Sequence, residues 1–198
     1  MNWRMFWEHL HIVLAGVTFA IASGVPLGVL AYMSPPLRKI ILTTVEILRT
    51  VPTLALLGIL MVIFGAGKAT VIVGIVLFSL LPVVQNTYVG LREVDPAIKD
   101  VAAGMGMTFL YRLIHVELPL AFPLILTGIR IAATNSVGIA VFASFVGGGG
   151  LGGMIYNAIR VGNMARILSG TVALMAMSIT FELALGFAEK KICARRPR

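Results

Sequence analysis

Two glycine-rich stretches are the first places to look for chemistry. FVGGGGLGGM (145–154) holds two overlapping G-x-G-x-x-G patterns, through Gly147, Gly149, Gly152 and through Gly148, Gly150, Gly153. This is the spacing with which a strand-to-helix turn cradles a dinucleotide pyrophosphate. That chemistry needs a strand in front, a βαβ unit around it and an acidic residue about 20 positions on. Long apolar runs flank these glycines instead. GAGKAT (65–70) has the lysine of a phosphate loop, but position 62 is not glycine, and Ala69 follows Lys68 where a serine or threonine is needed to hold magnesium. Neither stretch is expected to bind a nucleotide.

Ionisable and polar groups inside apolar runs come next, because burying one in lipid is costly and each is a functional candidate by default. Glu46 and Arg49 stand three apart on one helix face, close enough to pair, and a structural pair is preferred to a gating role. Arg130, Asn135 and Glu182 lie deeper and face either a partner subunit or a passage, Glu182 with the option of reaching toward the surface. His9, His11 and His115 sit at ends or in a loop, so no chain of titratable groups crosses the apolar region. The single Cys193 has no partner cysteine, which leaves neither a disulfide framework nor a cysteine metal site.

The elements that must position these residues are membrane spans. Of 198 residues, 59% are hydrophobic and 12% charged, against roughly a quarter charged in a soluble domain. A helix crossing about 30 Å of hydrocarbon needs about 20 mostly apolar residues. Five runs qualify, at 10–32, 40–65, 70–91, 118–146 and 167–188. The first is longer than the apolar core of a cleaved signal peptide and is read as a span. Continuous apolar runs exclude a β-barrel, whose strands alternate. The whole chain, 1–198, reads as a single all-α transmembrane domain.

Five crossings put the termini on opposite sides. Arg38, Lys39, Arg92, Lys99, Arg112, Lys190, Lys191, Arg195, Arg196 and Arg198 fall on the C-terminal side, against Arg4, Lys68, Arg160 and Arg166 on the other. The excess of lysine and arginine places the C-terminus in the cytoplasm and the N-terminus outside. Topology and attraction to anionic lipid therefore account for the net charge of +8; nucleic-acid binding does not, since the cations are scattered and lack an interleaved aromatic surface.

This orientation leaves one substantial cytoplasmic loop, 92–117. Asp95 at a cap position and Pro96 at the first helical position open a short helix, with the small residues Ala97, Val101, Ala102 and Ala103 along it and Gly104 and Gly106 closing it. Small side chains let another protein approach the backbone, so the segment reads as a docking surface. TFLYRLIHVELP (108–119) continues as an amphipathic stretch with Leu110, Leu113, Ile114 and Leu118 at helical spacing, joining that helix to the next span.

In this loop the sequence resembles the membrane subunits of ATP-binding-cassette importers, whose signature is E-A-A, three residues, G, nine residues, I-x-L-P. Asp100-Val101-Ala102, then Gly106, then Val116-Glu117-Leu118-Pro119 reproduce the spacing with conservative exchanges. RTVPTLALLGIL (49–60), LLPVVQNTYVGLREVDP (80–96), GMGMT (104–108), VELPLAFPLILTGIR (116–130) and GGGGLGGMI (147–155) are similar to the branch that imports glycine betaine, carnitine, choline and related osmoprotectants.

The resemblance implies the type I ABC importer permease fold, five transmembrane helices with a cytoplasmic coupling helix, in the bacterial cytoplasmic membrane. It implies coupling through Asp100, Val101, Ala102, Ala103, Gly104, Gly106, Leu118 and Pro119 to two copies of a separate ATPase subunit. That subunit would carry ATP and magnesium, with no cofactor on this chain. It also implies a second permease subunit, identical or paralogous, and an extracytoplasmic substrate-binding protein.

The last of these suits a chain whose aromatics form no cage for a quaternary ammonium; Trp3 and Trp7 read as interfacial anchors. Candidates for the pathway or its gate are Pro52, Gln85, Asn86, Asn135, Gly149 and Gly150. Pro52, Pro82 and Pro123 permit bends, while Gln85, Asn86 and Thr87 form a polar patch that meets either the pathway or the coupling helix. The glycines at 147–150 are expected to let the backbone fold back at the outer mouth or to serve as a flexible connector. The competing reading is a carrier or channel driven by an ion gradient, or else a membrane scaffold whose loop recruits a partner.

Overall fold

The computed structural model describes residues 3–194, with side chains through Lys191; Cys193 and the tail cations Arg195, Arg196 and Arg198 fall outside the described side chains. Among the described residues every regular element is helical. In chain order they are α1 (Trp3–Met33), α2 (Pro35–Thr50), α3 (Thr53–Phe64), α4 (Lys68–Arg92), α5 (Pro96–Gly104), α6 (Phe109–Arg112), a π turn (Leu113–Glu117), α7 (Leu118–Ile139), a 3-10 segment (Ala140–Val146), α8 (Leu151–Arg160) and α9 (Met164–Ala194).

The bundle is organised on α1 and α4. Along α1 small residues recur every four positions, at Gly16, Ala20, Gly24 and Gly28, and α4 lies against that stripe. A Cβ on Gly24 would sit 2.8 Å from Val83 Cγ1, while Ile75 and Thr87 occupy the same places over Gly16 and Gly28. Close backbone approach over small residues is how helices associate where lipid supplies no hydrophobic drive. The contacts climb together, 16 with 75, 24 with 83 and 28 with 87, so α1 and α4 run parallel.

That parallel pairing fixes the topology. α1 ends where α4 also ends, so residues 34–67 must return the chain to the opposite end of the bundle. The segment is not the single straight span expected at 40–65: α2 and α3 meet at 102° across Val51 and Pro52. Pro52 has no N–H and disfavours helical geometry in the residue before it, and Val51 accordingly adopts extended backbone. At 1.5 Å per residue α3 is about 18 Å long, too short to cross alone. Counted as one broken crossing, the bent pair brings the candidate spans from four to five.

α7 runs antiparallel to α4, with Gly128 against Pro82 and Asn86 at one level and Ser136 hydrogen bonded to Ser79 at 3.0 Å at another. α9 runs antiparallel to α7, with Thr127 reaching Glu189 and Thr134 reaching Glu182. The largest apolar cluster, including Ile12, Val13, Leu57, Ile75, Val137 and Met177, draws on α1, α3, α4, α7 and α9.

Two further boundaries differ from expectation. The amphipathic stretch expected to join α5 to a span starting at 118 is itself continuous with that span, one helical rod from Phe109 to Val146. Pro119 suggested a start because it cannot join an unbroken helical ladder; the π turn just before it, closed by Leu118 N–H donating to Leu113 carbonyl, offsets the ladder and accommodates it. The connector after the glycines also contains a helix, α8, packed on α9. Its buried Leu151, Gly152 and Ala158 repeat too briefly to stand out in an apolar sequence.

Candidate functional site

The loop helix α5 forms as its cap predicts: Asp95 accepts a 2.8 Å hydrogen bond from Ala97 N–H, and Pro96 occupies the first turn. Gly106 takes φ +82°, a left-handed conformation that a side chain would strain, and turns the chain toward α6. Of the expected coupling residues, Ala102 faces inward and is buried, whereas Asp100, Val101, Ala103, Gly104 and Gly106 are exposed. Val101 is 63% exposed and Met105 73%. These two, with Ala97, Ile98, Met107 and Val116, line an almost wholly apolar hollow of about 370 Å³ between α5 and the start of the α7 rod. Leu118 is half-buried and Pro119 exposed on that rod.

Behind α5 lies a polar anchor that the motif's spacing did not single out. Glu117 is fully buried, and each of its carboxylate oxygens accepts one short hydrogen bond, Oε1 from Arg112 Nε at 2.6 Å and Oε2 from Tyr32 Oη at 2.6 Å. A buried carboxylate that has a cation partner and a hydrogen bond on each oxygen is tolerated; stripped of its arginine it is strongly unfavourable. Tyr32 is the penultimate residue of α1, and its ring lies 5.2 Å from Lys99 Nζ. Lys99 in turn donates to the Leu91 carbonyl at the end of α4, at 2.9 Å. One tyrosine therefore touches groups from α5 and the π turn while sitting on α1. Sequence patterns could not reveal this, since Tyr32 and Glu117 are 85 residues apart.

The pathway candidates do not gather into one place. Pro52 is exposed at the α2–α3 break and Asn135 is exposed on α7. The polar patch of α4 is divided: Gln85 is exposed, Asn86 donates to the Pro82 carbonyl and packs under Gly128, and Thr87 is buried against α1. Among the described residues no hydrogen bond joins Pro52, Gln85 and Asn135. The expected pair of Glu46 and Arg49 is absent: both are exposed, and no ion pair forms. Helical spacing brings such side chains within reach, but in an exposed setting the attraction is small against the cost of ordering them.

Arg130 and Glu182 do meet, at 3.6 Å, and Glu189 joins them at 3.4 Å from the same guanidinium nitrogen. Glu189 was the missing member, one α9 turn pair beyond Glu182 on the same face. The network ties α7 to α9.

At the opposite end of the bundle the glycines fold back against protein. Gly149 takes φ +76° beside Glu8, and Gly150 takes φ +82° with His9 Nδ1 3.1 Å from where a Cβ would stand. His9 is buried and donates from Nε2 to the Val137 carbonyl at 3.1 Å. Glu8 lies 3.4 Å from Arg4 and 3.8 Å from Lys68, so the lysine of GAGKAT is engaged in an ion pair. A 3-10 segment, not a strand, precedes the glycines.

The family described as "Binding-protein-dependent transport system inner membrane component" matches residues 24–193. The carnitine transport permease protein OpuCB of Listeria monocytogenes is 34% identical over 192 residues, covering 97% of this chain and 88% of that protein. The glycine betaine/carnitine/choline transport system permease protein OpuCD of Bacillus subtilis is 36% identical, covering 94% and 82%. The osmoprotectant import permease protein OsmW of Salmonella typhimurium is 34% identical, covering 90% and 86%. Among solved structures, an inward-facing MetNI methionine ABC transporter superposes with TM-score 0.87 at 24% identity, over 96% of this chain and 94% of that one. An amino acid ABC transporter does so with TM-score 0.79 at 20% identity, over 95% and 94%; these two likenesses concern the fold.

Proposed function

The chain belongs to the family of binding-protein-dependent transport system inner membrane components, and from that premise we propose that it is the permease subunit of an ATP-driven importer of quaternary-ammonium osmoprotectants. Glycine betaine, carnitine and choline are the solutes named for its relatives at 34–38% identity. α5 docks on a separate ATPase subunit, two copies to a complex, which binds ATP and magnesium and carries out the hydrolysis. A binding protein delivers solute at the end bearing the glycine loop, which lies outside the cell. The α5 end, with the C-terminus, lies in the cytoplasm.

The observation that carries this reading is the presentation of α5: a capped helix whose small and apolar residues Val101, Ala103 and Met105 face outward, beside an apolar hollow, on a buried polar anchor. Ala102 tucked inward and Gly106 turning the chain toward α6 fix α5 to this subunit. The apolar faces left uncovered on α3, at Ile59, Val62 and Ile63, and on α9, at Leu168, Val172 and Ile179, are assigned to lipid and a second permease subunit around the pathway. ATP-driven closure of the two ATPases draws the α5 helices together and switches the pathway outward; hydrolysis resets it.

The test is reconstitution with the cognate ATPase and binding protein in liposomes, following labelled betaine, carnitine or choline. Uptake that requires ATP and the binding protein is expected. Uptake without ATP that tracks an imposed ion gradient overturns the proposal.

A further inference from the structure

We infer that Tyr32, Glu117 and Arg112 form the transmission joint of this subunit: positioning residues that convert displacement of α5 into coordinated movement of α1, α4 and α7. The inference rests on the coupling role proposed for α5 and concerns what lies behind it.

α5 itself has little hold on the bundle. Ala102 is its only buried side chain, and its long side chain directed inward, Lys99, ends on Leu91 carbonyl and the Tyr32 ring. A push on α5 therefore arrives at Tyr32 and at the last turn of α4. Tyr32 passes it through a 2.6 Å hydrogen bond to Glu117, which is fully buried in the π turn. Arg112 holds the other oxygen at 2.6 Å and is itself placed by the Phe109 ring, 5.6 Å away. Buried hydrogen bonds to a charged group are short and directional, so they transmit displacement where apolar contacts slide.

Glu117 lies in the π turn, which carries one residue more than an α-helical turn needs, a feature frequent at functional sites. It stands at the start of a rod that continues to Val146 at the far end of the bundle. The joint thus sets the paired carboxylate at the start of that rod. Its position between the docking helix and three crossings suits it to coupling and not merely to cohesion.

The experiment uses the full complex of permease, ATPase and binding protein in liposomes, measuring solute imported and ATP hydrolysed in the same samples. Tyr32→Phe removes one hydroxyl and keeps the ring over Lys99; Glu117→Gln removes the charge. In both, the ATPase is expected to stay bound and active while solute imported per ATP falls about tenfold, the scale of one lost hydrogen bond to a charged group. Tyr32→Phe decides the matter if Glu117→Gln fails to assemble. An unchanged ratio in Tyr32→Phe overturns the inference, as does a proportional fall of uptake and hydrolysis with loss of the ATPase. Those results leave wild-type ATP-dependent uptake intact and so spare the functional reading, whereas a wild-type complex that imports nothing on ATP overturns both.

Discussion

The two ends of the bundle solve the same problem differently. Both must carry irregular backbone past the last turn of a span. At the glycine end two glycines of positive φ lie against this chain's own side chains, Gly149 against Glu8 and Gly150 against His9, and the loop is joined by Gly67, whose N–H donates to the Val146 carbonyl at 2.8 Å. At the α5 end the anchor is equally buried, but the helix hung from it presents Val101 and Met105 outward with nothing of this chain over them. The glycine loop is packed by this chain's own side chains, whereas α5 leaves its apolar side chains open.

Substitutions can break that contrast. Glu117→Ala would leave Arg112 and Tyr32 facing a cavity, and a loss of about 3 kcal/mol or more is expected from an orphaned buried pair, read as a lowered midpoint in thermal unfolding of the purified subunit in detergent. Gly150→Val places a branched side chain at positive φ against His9 and should cost about 2–3 kcal/mol in the same assay. Lys68→Ala removes an ion pair that is half in solvent, and a change of no more than about 0.5 kcal/mol is expected. Val101→Glu should leave the unfolding midpoint unmoved, within about 0.5 kcal/mol, yet abolish co-purification of the ATPase. If Val101→Glu unfolded the subunit as readily as Gly150→Val, the two ends would not differ as described.

Much of this was legible in the sequence, for identifiable reasons. Span length is dictated by bilayer thickness, so apolar run lengths located the long helices, and Asp95-Pro96 announced α5 because capping is local. The stripe Gly16-Ala20-Gly24-Gly28 gained its meaning only from the structure, because its four-residue spacing says nothing of which helix will cover it. The break at Pro52 was flagged as a bend, while its 102° depends on α1 and α4 being parallel, which only long-range packing decides. Long-range pairings were closed to sequence reasoning altogether: Glu117 chooses Tyr32, and Arg130 chooses Glu182 and Glu189, across loops that leave no periodic trace. The Glu46–Arg49 pair failed for the opposite reason, as proximity along a helix does not by itself make an interaction.

The proposed function requires α5 to be covered by a separate ATPase on the cytoplasmic side. In a Cys193→Ser background, Val101→Cys can be labelled with a membrane-impermeant thiol reagent in right-side-out and inside-out vesicles, with and without the ATPase subunit. Labelling is predicted only in inside-out vesicles, and there it should be blocked when the ATPase is bound. Labelling from the outside, or equal labelling whether or not the ATPase is present, would contradict it.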